Sequence, residues 1–281
     1  IGLILVPVGF IIGGNFQGVK EIFLIDHKYE LQEKIYFDNI NEINLNINDR
    51  NIEVIKSDES NYIEYYLYNK KETATLDNNK DVLSFTIKNK KSILSIFKIG
   101  YTTKKVKTIK IYLNDDNINN FNVNLKVGNF KIEDEININN FNFITKTANL
   151  ELINTNIDTL KINNNTGVIN LKNINSLNTV IEQKVGNVNV ENINGNFLNI
   201  QTTTGNIKIN NNEVTQTNIS ATTGKIEVID QRAKENIGFI IKVNTGKINF
   251  YDLEIKEKND NLENFEYKYT LTTTTGNIII K

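Results

Sequence analysis

Carboxylates and lysines are the residue types available here for chemistry. The 281-residue chain has no cysteine, no methionine and a single histidine. Without cysteine there is no thiol nucleophile, no disulfide and no thiolate metal site, and the redox compartment stays open. His27 stands beside Asp26 with no second histidine to join it, which excludes a multi-histidine metal centre and leaves any serine-histidine-aspartate relay resting on one residue. It reads more simply as a surface residue. Glu151, Glu182, Glu191 and Glu227 remain as acid and base candidates for glycosidic cleavage. Phosphate-loop and dinucleotide fingerprints are absent, as are glycine-aspartate calcium repeats. The sequence predicts no catalytic residue, no cofactor and no metal.

A second cluster points to binding. Lys88, Lys90, Lys91, Lys98, Lys104, Lys105 and Lys107 gather around Ile93, Leu94, Ile96, Phe97, Ile99 and Tyr101. A basic segment with an apolar face suits anionic lipid, an anionic wall polymer or a peptide. The competing reading is a solvated hairpin whose lysines guard an edge strand. The formal net charge of −1 supplies no bulk attraction to nucleic acid, so no nucleic-acid partner is expected and any charged partner must be met locally.

What must position these groups is a repeat. Thr166-Gly167-Val168-Ile169-Asn170-Leu171 returns with its glycine at 186, 205 and 224, a step of 19 residues. Relatives of the phrase surround Gly128, Ala148, Gly246 and Gly276, giving eight coils. A fixed period of this size marks a solenoid. Apolar residues occupy the second and fourth positions after the corner, and another alternating run precedes it, as in Leu160 and Ile162. Each coil therefore reads as strand, corner, strand and Asn-rich return. A lone coil cannot bury its inward face, whereas stacking contributes about 1.5–3 kcal/mol per aliphatic side chain.

The corner column comprises Gly128, Ala148, Gly167, Gly186, Gly205, Gly224, Gly246 and Gly276. Glycine suits positive φ or close approach of neighbouring coils, and Ala148 favours close approach at its own coil. The preceding residue is Thr in six coils, with Val127 and Val185 in the other two. Such a ladder could bind ice or glycan, but the two valines favour a simple β-branched preference at the corner. The third position after the corner runs Lys131, Glu151, Asn170, Asn189, Lys208, Glu227, Asn249, Ile279, a column of cross-strand pairs. In this register Glu151 and Glu227 lie four coils apart, roughly 19 Å, too far for joint acid–base work. The corner step lengthens to 22 residues before Gly246 and 30 before Gly276, from loops that serve binding or merely drift.

Residues 1–14 form an uncharged apolar run, shorter than the ~20 residues of a membrane span. With the lack of methionine, this predicts a processed or truncated chain, anchored by a transmembrane remnant at 1–18 and otherwise extracytoplasmic. Residues 19–118 are expected to form a β-rich cap, and 119–281 the solenoid. Strand-like runs cover 43–47, 52–54, 62–68, 82–87 and 109–113, and Asp49–Val54 resembles a degenerate coil with Asn51 at its corner. The abundance of Asn, Ile and Lys fits codon bias better than an aggregating tract, because the apolar alternation is regular.

The apolar start, the strand Ile109-Lys110-Ile111-Tyr112-Leu113 and the serial Thr-Gly-Asn-Ile-x-Ile coils resemble the bacterial "putative adhesin" β-solenoid family over about residues 35–281. The proline that many members carry after this strand is missing. The resemblance implies envelope-associated proteins of adhesion or envelope stress, with no catalytic residues. The expectation is thus an all-β, non-enzymatic solenoid, membrane-anchored in the cell envelope and binding a protein, glycan or anionic polymer. The alternatives are a polysaccharide-active β-helix enzyme and a ligand-free spacer.

Overall fold

The computed structural model describes residues 25–38, 40–68, 71–79, 81–89, 102–114 and 117–281. Parallel pairing follows the sequence repeat. Leu160 lies opposite Thr179, which lies opposite Leu198 and then Thr217. On the next strand Ile169, Val188, Ile207 and Ile226 stack in the same way. All eight side chains are buried, because alternation sends every second residue of each strand inward. One apolar core runs from Phe37 to Ile280, widened where Phe121 and Phe141 meet at 5.5 Å between ring centroids. The fold is all-β and solenoid-like. No helix among the described residues is long and apolar enough to cross a membrane. The apolar run at 1–14 lies outside the described residues.

Both explanations of the corner glycine hold at once. Gly186 sits at φ +132°, and a Cβ there would come within 1.7 Å of the Gly167 carbonyl oxygen. Ala148 is buried and is not among the positive-φ residues, so that coil takes its corner with ordinary backbone. The Asn-rich return proves to be a second corner. Asn154, Asn173, Asn192 and Asn211 occupy it at φ 53–55°, a left-handed conformation that Asn tolerates better than most residues.

Stacking order departs from chain order at both ends. The rung of Glu42–Asp49 and Asn51–Lys56 lies between Asn117–Ile132 on one side and Val82–Asn89 with Thr108–Leu113 on the other. Its register places Asp49 opposite Val127 and Ile52 opposite Phe130, so the corner residue is Arg50 and not the expected Asn51. At the far end, Tyr267–Thr275 and Ile278–Ile280 insert between Ile207–Ile229 and the rung of Ile237–Thr245 and Ile248–Phe250. The outward column therefore ends Lys208, Glu227, Ile279, Asn249 rather than in chain order.

Antiparallel segments cover both terminal rungs. Glu72–Asn79 pairs with Val82–Asn89, and Asn61–Glu64 pairs with Thr108–Leu113. Opposite them, Leu253–Ile255 pairs with Ile248–Phe250, and Lys258–Asn259 with Ile237–Thr245. The long insertion before Gly276 thus closes a sheet edge that would otherwise be open to pairing.

Candidate functional site

Of the lysine cluster, Lys88, Lys104, Lys105 and Lys107 fall among the described residues, whereas Lys90, Lys91 and Lys98 lie outside them. Lys88 is on the strand Val82–Asn89, and the other three form the short helix Lys104–Lys107. Lys104 pairs with Glu53 at 2.9 Å and Lys107 with Asp49 at 2.7 Å. These contacts tie the helix to the neighbouring rung and neutralise part of the patch.

The candidate acid–base carboxylates are each engaged elsewhere. Glu151 lies 3.7 Å from Lys131, Glu191 lies 3.3 Å from Lys172, and Glu182 accepts from Asn163 at 3.2 Å. Glu227, nearly buried, accepts from Lys225 at 2.6 Å and Lys281 at 2.9 Å, and these bonds pull its carboxyl down to about 2. Asp26 accepts a hydrogen bond from the Thr103 backbone N–H at 2.8 Å. Among the described residues no three His, Asp or Glu side chains gather to hold a metal ion.

A concavity lies along the asparagine corner. It has a volume of about 590 Å³ and follows the stacking axis past 173–175, 192–194 and 211–213 to Asp230 and Arg232. Its shape follows from the repeat. In each rung the corner Asn points out, the next residue points inward and the one after points out again, leaving a furrow between the corner column and an outer column of Asn175, Asn194 and Glu213. The corner amides form a ladder: Asn173 Nδ2 donates to Asn154 Oδ1 at 2.7 Å, Asn192 to Asn173 at 2.7 Å and Asn211 to Asn192 at 2.9 Å. In the outer column Asn156 donates to Asn137, and Asn175 to Asn156, each at 2.8 Å. Every ladder amide has more hydrogen-bonding capacity than the ladder uses.

A buried polar network closes the furrow. Asp230 takes the ladder position after Asn211, and its carboxylate accepts from Arg232 Nη2 at 2.6 Å, Arg232 Nε at 3.0 Å and Tyr269 Oη at 2.7 Å. Burial alone would raise the Asp230 pKa, but the bonds from Arg232 and Tyr269 outweigh it and hold the group below its ordinary value. Burial, followed by the Asp230 charge, raises Tyr269. Asn212 donates to Tyr269 Oη and Thr217 Oγ1, both at 2.8 Å, which connects the network to the interior. Arg232 also stacks over the Tyr267 ring at 3.7 Å. The short insertion before Gly246 therefore builds the end wall of the furrow.

The expectations from sequence passed over this furrow, although Asn at 154, 173, 192 and 211 repeats with the same step of 19 as the glycines. That spacing was the signal that could have found it.

Comparison with known proteins follows from this architecture. No curated protein matches the chain. It is similar to a solved "putative adhesin" of Bacteroides fragilis NCTC 9343, with a TM-score of 0.51 at 14% identity, covering 92% of this chain and 99% of that one. It is also similar to a solved "putative lipid binding protein" of Parabacteroides distasonis ATCC 8503, with a TM-score of 0.50 at 15% identity over 92% and 99% of the two chains. At these identities the likeness establishes the shared fold. A model of the family described as Toastrack DUF4097 matches residues 40–281, and the chain belongs to that family.

Proposed function

We propose that this chain is a non-enzymatic binding protein of the cell envelope, which presents the sides of its solenoid to an extended macromolecule. The observation that carries the reading is the furrow, in which the amide pairs 173/175 and 192/194 and then Asn211 with Glu213 follow one another along the stacking axis. Such a surface engages a chain-like partner over several rungs and has no enclosed centre for turnover. The names of the two structural relatives, an adhesin and a lipid-binding protein, agree with a binding role. In this reading residues 1–18 anchor the protein in a membrane, 19–118 cap the stack and 119–281 face outward. The apolar composition of 1–14 supports the anchor.

Two measurements test it. Purified protein should co-sediment with isolated cell-envelope fragments, and protease added to intact cells should release peptides from 119–281. Absence of co-sedimentation would sink the binding role, and full protection from protease would sink outward display.

A further inference from the structure

The reading above leaves the partner's chemistry open, and the furrow narrows it. Four properties matter: charge, shape, unused hydrogen-bonding capacity and the state of the end wall.

The walls at 173, 175, 192, 194 and 211 are uncharged amides, and Glu213, which follows Asn194 in the outer column, adds one carboxylate. At the closed end, Asp230 and Arg232 neutralise each other at 2.6 Å. An anionic polymer or a lipid headgroup finds no surplus of positive charge there. The furrow is long and follows the axis, so its occupant is linear. Strand spacing sets one amide pair about every 4.8 Å along that line.

The end wall has two unmet groups. With the ladder amides oriented as they are, Asn211 Oδ1 has no hydrogen-bond partner, because the next residue in line is the carboxylate of Asp230, which offers no proton. Arg232 Nη1 also lacks a partner. An unmet acceptor and an unmet donor therefore occur on two residues that line the same wall. A hydroxyl, which donates and accepts through one oxygen, answers both. Both atoms are enclosed, so engaging an occupant requires the side chains that carry them to turn toward it.

Resting on the binding role proposed above, we infer that the asparagine furrow is a binding site for a neutral, hydroxyl-rich chain, that is, an uncharged glycan lying along the stack. Successive sugar residues meet the amide pairs 173/175 and 192/194 and then Asn211 with the Glu213 carboxylate, which accepts from hydroxyls, and the end wall of Asn211 and Arg232 takes a terminal hydroxyl.

The probes are a panel of neutral oligosaccharides built from glucose, mannose, galactose or N-acetylglucosamine, with polyglutamate and anionic phospholipid vesicles as charged comparators. Binding is read by calorimetry and by shifts of the Asn side-chain amide signals in NMR spectra. At least one neutral glycan should bind and shift the amides of Asn173, Asn192 and Asn211, and the charged probes should leave them unmoved. The double variant N173G/N192G keeps a residue suited to positive φ while deleting two amides, and it should weaken binding about tenfold. A second variant, N175A/N194A, alters the outer column at residues with ordinary backbone and should weaken binding to a similar degree. The inference is overturned if no neutral glycan binds, if the charged probes shift the same amides, or if both folded variants bind as the wild type does. Co-sedimentation with envelope fragments that survives in both variants would overturn this site while leaving the broader binding role intact.

Discussion

Arg50 and Glu72 form an ion pair across 22 positions of sequence, each side chain only 2% exposed. Arg50 occupies the corner that glycine takes in most other rungs, and Glu72 also accepts from the Tyr68 backbone N–H at 2.8 Å. The pair joins the corner column to the strand that caps the stack.

Removing one partner leaves a buried charge without compensation, so E72Q should cost about 3–5 kcal/mol of stability in urea unfolding. The double change R50M/E72L should recover most of that loss, short of about 1–3 kcal/mol for the lost hydrogen bond between the Tyr68 N–H and Glu72. If the double variant proves no more stable than E72Q, the loss does not come from the unpaired charge.

Gly186 provides a test of the corner. Its φ of +132° and the 1.7 Å approach to a carbonyl oxygen both oppose a methyl group, so G186A should lose more than about 3 kcal/mol. Ala148→Gly should cost only about 0.5–1 kcal/mol, because that backbone already has an ordinary φ. Equal losses in the two variants would show that one mechanism governs both coils.

Acid stability should depend on Glu227. The hydrogen bonds from Lys225 and Lys281 lower its pKa from 4.5 to about 2 in the folded chain. A depressed carboxylate contributes stability above its unfolded pKa, and that contribution fades as the pH falls from about 4.5 through about 2. E227Q should therefore be less stable than the wild type at pH 6, and the gap should narrow as the pH approaches 2. Unfolding midpoints measured across this range provide the check.

Tyr269 joins the interior to the end wall of the furrow. Its hydroxyl donates to Asp230 and accepts from Asn212, so Y269F should cost about 1–3 kcal/mol. Burial raises the pKa of this phenol, so its contribution is intact below pH 10 and falls as the pH rises beyond it. The stability gap between wild type and Y269F should shrink in the alkaline range, as measured by denaturant titration.

The interior of the stack was legible because its information is local. Alternation named Ile169, Leu171 and their counterparts as inward residues, and the repeat of 19 named their neighbours. The ends were not legible, because insertion of the 267–280 rung depends on which edge captures it, and no local pattern encodes that choice. Arg50 was missed for a related reason: a charged side chain at a corner makes sense only once Glu72 is known to reach it. Strand Glu72–Asn79 escaped notice because its sequence, Glu-Thr-Ala-Thr-Leu-Asp-Asn-Asn, is polar and pairs on one edge with Val82–Asn89. The furrow lay in plain repeat, but asparagine in a chain so rich in it was read as background.

The out-of-order rung also bears on how the molecule is made. Residues 207–229 and 237–250 are synthesised before 267–280, the segment that separates and joins them. On the ribosome, therefore, the nascent stack carries an unsealed edge until residues 267–280 emerge. A premature stop between residues 250 and 267 would leave that edge bare, turning a self-limited rod into one able to recruit another chain's strand.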